Sequence, residues 1–148
     1  EHFGTVWVPE FAREYLLENG NKFEQEDVLP IAEGQVLVQK TAELRANKLL
    51  FLDTDLLTNA LYSQWCFGQI PDWLAQMARQ NRPDLYLFLE TDLPWQADEL
   101  RTHGNQREEQ SKLWLWGLEY FGGRWVKIGG SGEKRLAAAI SAVESAFF

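Results

Sequence analysis

Two carboxylates interrupt an apolar run in the stretch Phe51-Leu52-Asp53-Thr54-Asp55-Leu56-Leu57-Thr58. Carboxylates that close a strand can hold Mg²⁺, directly or through water, or take a proton from a substrate hydroxyl. The pattern recurs. Thr5-Val6-Trp7-Val8 runs into Pro9-Glu10, and Leu85-Tyr86-Leu87-Phe88-Leu89 runs into Glu90-Thr91-Asp92. A fourth run, Trp125-Val126-Lys127-Ile128, ends instead in Gly129-Gly130-Ser131-Gly132. Each acid also has an ordinary structural use: Asp55 before Leu56 suits a helix N-cap, Glu10 suits a first helical turn, and Glu90 suits a solvated strand end. A charged segment follows the third run and carries Arg101 and Arg107. Guanidiniums on a flap over strand ends can neutralise a transferring phosphoryl group. They can equally pair with Glu108 and Glu109 on a solvated helix.

The elements that must position these groups alternate. The sequence predicts a short strand ending at Pro9, a helix from Glu10 to Glu18 closed by Asn19-Gly20, and a loop over 21–27. A helix with Pro30 in its first turn runs to about Ala46, and a strand runs from Lys48 to Asp53. Helices follow over Leu56–Phe67 and from Pro71 to Gln80, then a strand over 85–89. A helix over Asn105–Tyr120 is broken by Gly122-Gly123, and a strand over 125–128 leads to a final helix. That helix shows Leu136, Ile140, Val143 and Phe147 at helical spacing. Strands apolar on both faces, separated by helices, indicate an α/β fold whose parallel sheet is flanked by helices. In such a sheet ligands bind at the carboxyl ends of the strands, where the acids lie.

Composition narrows the function. With 148 residues and 45% apolar content, the chain suits a single domain. A net charge of −8 argues against general nucleic-acid binding, which needs clustered Lys and Arg. No apolar run approaches the roughly 20 residues that span a bilayer, so no membrane role is expected. Cys66 is the one cysteine, which excludes an intrachain disulfide and suits a reducing, cytoplasmic compartment. Cys66 reads as a small core residue rather than a nucleophile. The seven tryptophans read as core and semi-buried packing.

The segments PEFAREY (9–15), ANKLLFLDTDLLT (46–58), DLYLFLETDLPWQADELRTHGNQREE (84–109) and GGSGEKRLAAAISAV (129–143) resemble the ribosylnicotinamide kinase domain of NadR-type proteins, a P-loop kinase module. The resemblance runs over almost the whole chain in the right order. It implies a P-loop nucleoside-kinase-like three-layer architecture with strand order 2-3-1-4-5, as a single domain over 1–148 with a lid at about 94–110. It implies transfer of the γ-phosphate of ATP to the 5′-hydroxyl of nicotinamide riboside, with Mg²⁺, so the partners are a nucleoside triphosphate and a riboside. Glu10 falls at the place of the base, with Arg13 one turn on, facing the same substrate. Asp53 and Asp55 suit Mg²⁺ or ribose. Arg101 and Arg107 fall on the lid, with Trp95 beside it as a lid anchor or a platform for a base or nicotinamide ring. The glycine loop matches the part that flanks adenine. Glu99 departs from the family, which usually has Gly there, and makes the lid more helical and more acidic.

A larger departure is that residues 1–148 contain no G-x-x-x-x-G-K-[ST], the loop whose amides cradle phosphates. Glu1-His2-Phe3-Gly4 matches the end of the helix that follows that loop, so roughly 20 residues of strand, loop and helix lie outside the match. The strand among them lies between the family's third and fourth strands. Without it, two inner strand edges are unpaired, and the 148 residues alone are expected not to transfer phosphate. Three other readings stay open: a P-loop ATPase or kinase with another acceptor, a non-catalytic nucleotide-binding module, and an interaction domain using its tryptophans.

Overall fold

Pro9 has no N–H to offer a ladder and ends the first strand almost as it begins. Strand β1 is only Trp7–Val8. It pairs in parallel with β2, Phe51–Leu52, in the register Trp7↔Phe51 and Val8↔Leu52. The computed structural model describes residues 1–94 and 106–148. These fall into two compact units, Glu1–Arg82 and Pro83–Phe148.

In the first unit the Thr5 hydroxyl joins the approaches to the two strands. It donates to the Leu49 carbonyl at 2.6 Å and accepts the Asn47 N–H at 2.9 Å. Strand β2 is shorter than the expected 48–53 because Lys48 takes a left-handed backbone, φ 64°, that no strand continues. Helix α1, Phe11–Glu18, closes at Asn19 as expected. The segment read as a loop contains a 3₁₀ turn, Gln25–Asp27, entered through a capping box between Glu24 and Asp27. The Tyr15 hydroxyl donates to Asp27 at 3.0 Å and ties α1 to this turn. Helix α2, Val28–Glu43, begins two residues before Pro30, which still lies in the first turn, where a missing N–H does no harm. Helix α3, Leu56–Phe67, has the expected bounds and stops at Gly68. Helix α4, Asp72–Gln80, is entered through Pro71.

Ten apolar residues are buried in this unit: Val8, Val28, Ile31, Ala32, Leu56, Leu57, Ala60, Leu61, Leu74 and Ala78. Nine of the ten come from helices, so the helices make the core and the strands supply only Val8. Helices α1 and α2 meet closely at Gly34, where an added Cβ would fall inside the ring of Phe11.

The second unit is built on β3, Tyr86–Leu89, and β4, Trp125–Ile128, paired in parallel from Tyr86↔Trp125 to Leu89↔Ile128. Helix α5, Arg107–Tyr120, precedes β4, and α6, Gly132–Phe147, follows it. Among the described apolar residues here, only Leu118, Phe121, Ile128 and Val143 are buried. A polar latch adds to this small core. Arg135 donates to the Asp92 carboxylate at 2.6 Å, to the Glu90 carbonyl at 2.7 Å and to the Gly130 carbonyl at 3.0 Å. Asp92 also accepts the Gly130 N–H at 2.5 Å. One guanidinium and one carboxylate thus join the chain leaving β3 to the turn leaving β4. Gly130, at φ 88°, gives that turn a conformation other residues resist. The Gly130 amide first, and then Arg135, holds the Asp92 carboxyl below its ordinary value.

The α/β class and the parallel pairing agree with the sequence reading. Three expectations need correction. The strands are half-buried, with Leu89 exposed, rather than covered on both faces. Each has a single strand partner among the described residues, in agreement with the unpaired inner edges expected when the family's first strand lies outside the match. The α6 stripe holds at Ile140 and Val143 but not at its ends. Leu136 and Phe147 are 62% and 40% exposed, and Ala139, Ala142 and Ala146 join the inward side. Finally, Trp65, Trp114 and Trp125 are half-buried as expected, but no described tryptophan is fully buried, and Trp7, Trp73 and Trp116 are exposed. Trp116 stacks on Tyr120 one turn along α5, with ring centroids 4.9 Å apart.

Two measurements check this packing. Gly34→Ala should gain about 1 kcal/mol of helix propensity and lose more by displacing Phe11, since overpacking costs about 1–3 kcal/mol. The urea midpoint should fall, and an unchanged or raised midpoint would show that the helices do not meet so closely. The latch has a pH signature. Because the folded state depresses Asp92, its contribution is complete above the ordinary carboxylate value of 3.8 and is lost as pH falls below it. The melting temperature of Asp92→Asn should therefore lie below wild type at pH 7, with the gap closing in acid. A gap independent of pH would reject the charged latch.

Candidate functional site

Parallel pairing places the carboxyl ends of β1 and β2 on one side, and both ends carry acids. The ladder continues one rung beyond the strands: the Asp53 N–H donates to the Val8 carbonyl at 2.9 Å. Glu10 therefore leaves β1 beside the turn Asp53-Thr54-Asp55. It is the N-cap residue of α1 by backbone position, yet its side chain makes no capping hydrogen bond. A glutamate is one methylene longer than the side chains that cap well, and the job of holding this backbone falls to another residue.

That residue is Gln35, on α2. Its carboxamide is almost wholly buried, 1% exposed, and both ends are used. The oxygen accepts the Phe11 N–H at 3.1 Å, and the nitrogen donates to the Thr54 carbonyl at 3.0 Å. Sequence reasoning missed it. The available signal was a glutamine in register with Val28, Ile31 and Ala32, the buried stripe of α2.

The two aspartates play different parts. Asp53 is exposed at the rim. Asp55 is 5% exposed and caps α3, accepting the Thr58 N–H at 3.0 Å and the Thr58 hydroxyl at 3.2 Å. The cap read from sequence is thus present. Arg13 lies half-buried in the first turn of α1, on the segment Glu10 begins. Beside the turn, the Thr54 hydroxyl and the Asn59 amide nitrogen are buried with no hydrogen-bond partner among the described residues. Orphaned donors of this kind are rare in ordinary packing.

The second unit has its own polar rim. A cleft of about 240 Å³ is lined by Phe88, Glu90, Asp92, Ser111 and Lys127 among others. Lys127 lies 3.7 Å from Glu90 with both side chains about half-exposed, so the pair adds little stability. Arg107 donates to the Leu93 carbonyl at 2.9 Å and fastens the start of α5 to the chain leaving β3. Arg101 and Trp95 lie outside the described residues. Glu10, Arg13, Asp53 and Asp55 thus lie in the first unit and Arg107 in the second. Cys66 is exposed on α3 rather than in the core, and such burial as it has pushes its thiol up, opposite to an activated nucleophile.

Among the described residues no group of three or more His, Cys, Asp or Glu could hold a metal by itself. The exposed Asp53 carboxylate fits Mg²⁺ of another kind, bound through one or two carboxylates, water and substrate phosphates. No helix of the described residues is long and apolar enough to cross a membrane.

Against known proteins, residues 1–135 match the family model described as AAA domain. The chain is 29% identical over 132 residues to the trifunctional NAD biosynthesis/regulator protein NadR of Escherichia coli (strain K12), a match covering 85% of this chain and 32% of that protein. It is 28% identical over 113 residues to the protein of the same name from Salmonella typhimurium (strain LT2), covering 74% of this chain and 28% of the relative. The chain therefore spans about a third of the length of these relatives. With all four strands and the first five helices inside the matched span, the chain belongs to the AAA domain family, as a relative of NadR.

Proposed function

We propose that the chain is the core of an ATP-dependent kinase module that phosphorylates the 5′-hydroxyl of nicotinamide riboside, giving nicotinamide mononucleotide. The observation that carries this reading is the rim of the first unit, where the β1–β2 ladder and Gln35 set Glu10 beside Asp53. The likeness to NadR over 85% of the chain supports the acceptor. The three-layer sheet of small P-loop kinases is the architecture this reading requires.

In this mechanism the Glu10 carboxylate accepts the proton of the riboside 5′-hydroxyl. The oxygen attacks the γ-phosphorus, the bond to the β-phosphate oxygen breaks, and ADP leaves. Arg13, one turn along α1 from Glu10, neutralises the incoming phosphoryl charge. Asp53 would hold Mg²⁺, whose charge would offset that of the phosphates. Asp55 caps α3 beside the rim and is assigned to the ribose. Arg101 and Arg107 serve the lid, with Trp95 as its anchor.

The 148 residues hold no G-x-x-x-x-G-K-[ST]. On this reading the polypeptide 1–148 alone binds its ligands weakly and does not turn over ATP. The alternative is a nucleotide- or riboside-binding module without catalysis.

The test is a riboside kinase assay on the full-length protein. Glu10→Gln should lower kcat by about 10²–10⁴-fold, the usual worth of a general base, with KM little changed. Asp53→Asn should raise the Mg²⁺ concentration needed for half-maximal rate. A Glu10→Gln protein with wild-type kcat would remove the base assignment. A wild-type protein that binds riboside without phosphorylating it would favour the binding module. A panel of ribosides would separate this acceptor from others.

A further inference from the structure

The geometry points to Gln35 as the positioning residue of the rim, holding the Glu10 carboxylate and the Asp53 turn in one fixed relation. This rests on the reading of Glu10 as the base, and it adds a residue that makes no substrate contact in that reading.

The argument begins with a closed circuit. From Val8 the chain runs through Pro9 and Glu10 to Phe11. The Phe11 N–H passes to the Gln35 carboxamide, which passes to the Thr54 carbonyl. From Thr54 the chain returns to Asp53, whose N–H closes the circuit on the Val8 carbonyl. Glu10 and Asp53 are thus each clamped between two hydrogen bonds. Only one polar side chain takes part in the circuit.

The chemistry of the amide makes the clamp directional. Its oxygen can only accept and its nitrogen can only donate. The two backbone groups it meets are a donor and an acceptor, so rotating the amide by half a turn would set like against like at both ends. Burial at 1% exposure keeps water from substituting. Gly34 lets the Phe11 ring lie flush on the same turn of α2, so the segment carrying Glu10 is held by its ring and by its backbone at neighbouring positions. A base displaced by about 1 Å can lose on the order of 10² in rate.

The test is a double-mutant cycle on the full-length protein. Gln35→Met keeps the side-chain volume and removes both hydrogen bonds. In the wild-type background it should lower kcat by about 10-fold to 10²-fold, with the dissociation constants for nucleotide and riboside little changed. In a Glu10→Gln background, where there is no base left to position, it should lower kcat no further. A purely structural role predicts an equal loss in both backgrounds, and that result, or an unchanged kcat, overturns the proposal. If Gln35→Met does not fold, Gln35→Glu takes its place in the cycle; it keeps an acceptor for the Phe11 N–H and loses the donor to Thr54. If the wild-type protein phosphorylates no riboside, the kinase reading has failed, and amide hydrogen exchange decides the clamp. Selective loss of protection at Phe11 and Asp53 in the Gln35 variant, with the α3 core unchanged, supports it. Protection unchanged at both amides overturns it.

Discussion

The candidate site depends on one rung of a parallel ladder, the hydrogen bond from the Asp53 amide to the Val8 carbonyl. Strands β1 and β2 are two residues each, too short to hold a register by length. Two side chains secure the register from outside the ladder. The Thr5 hydroxyl joins the strands where they enter, and the Gln35 carboxamide joins the segments where they leave. Slipping the register by one residue would reverse which side chains face the core and would carry Glu10 away from Asp53. The chemistry of the rim is therefore a consequence of how a very short sheet is fastened.

The two units solve their stability problem differently. The first buries ten apolar residues, mostly on α2, α3 and α4, and can hold a polar clamp inside that packing. The second buries four among its described residues and relies in addition on Asp92 and Arg135. A charge-assisted network of this sort is strong where it is partly shielded, and Arg135 is, at 14% side-chain exposure. In both units a polar side chain holds the backbone at the carboxyl ends of the strands, Gln35 in the first and Arg135 in the second. Fastening and chemistry share the same few residues there, which is why the acids could be read either as caps and latches or as ligands.

Much of the rim was legible in the sequence because local rules governed it. An apolar run stopping at an acid marks a strand end, and Asp55 before Leu56 with Thr58 three residues on spells a cap; both held. The bounds of α3 and the stop at Asn19-Gly20 followed from capping signals. The likeness carried by four short segments agrees with the AAA domain match over 1–135. Where local rules ran out, the reading drifted. Periodicity placed Leu136 and Phe147 on the inward stripe of α6, but only its middle, Ile140 and Val143, turns inward, together with Ala139, Ala142 and Ala146. Tryptophans were expected in core and semi-buried packing; Trp65, Trp114 and Trp125 are half-buried, but a ring as large as indole needs a wide core, and mostly aliphatic side chains fill this one.

The sequence by itself determined the alternation of strands and helices, the parallel class and the placing of acids at strand ends, because each depends on neighbours a few residues away. Only the tertiary structure decided which residues hold those acids in place. Gln35 lies 24 residues from Phe11 and 19 from Thr54, and Arg135 lies 43 from Asp92. No local pattern reports a hydrogen bond across such a separation. A glutamine on an apolar stripe becomes a clamp only when the backbone donor and acceptor on either side of it have been brought within reach.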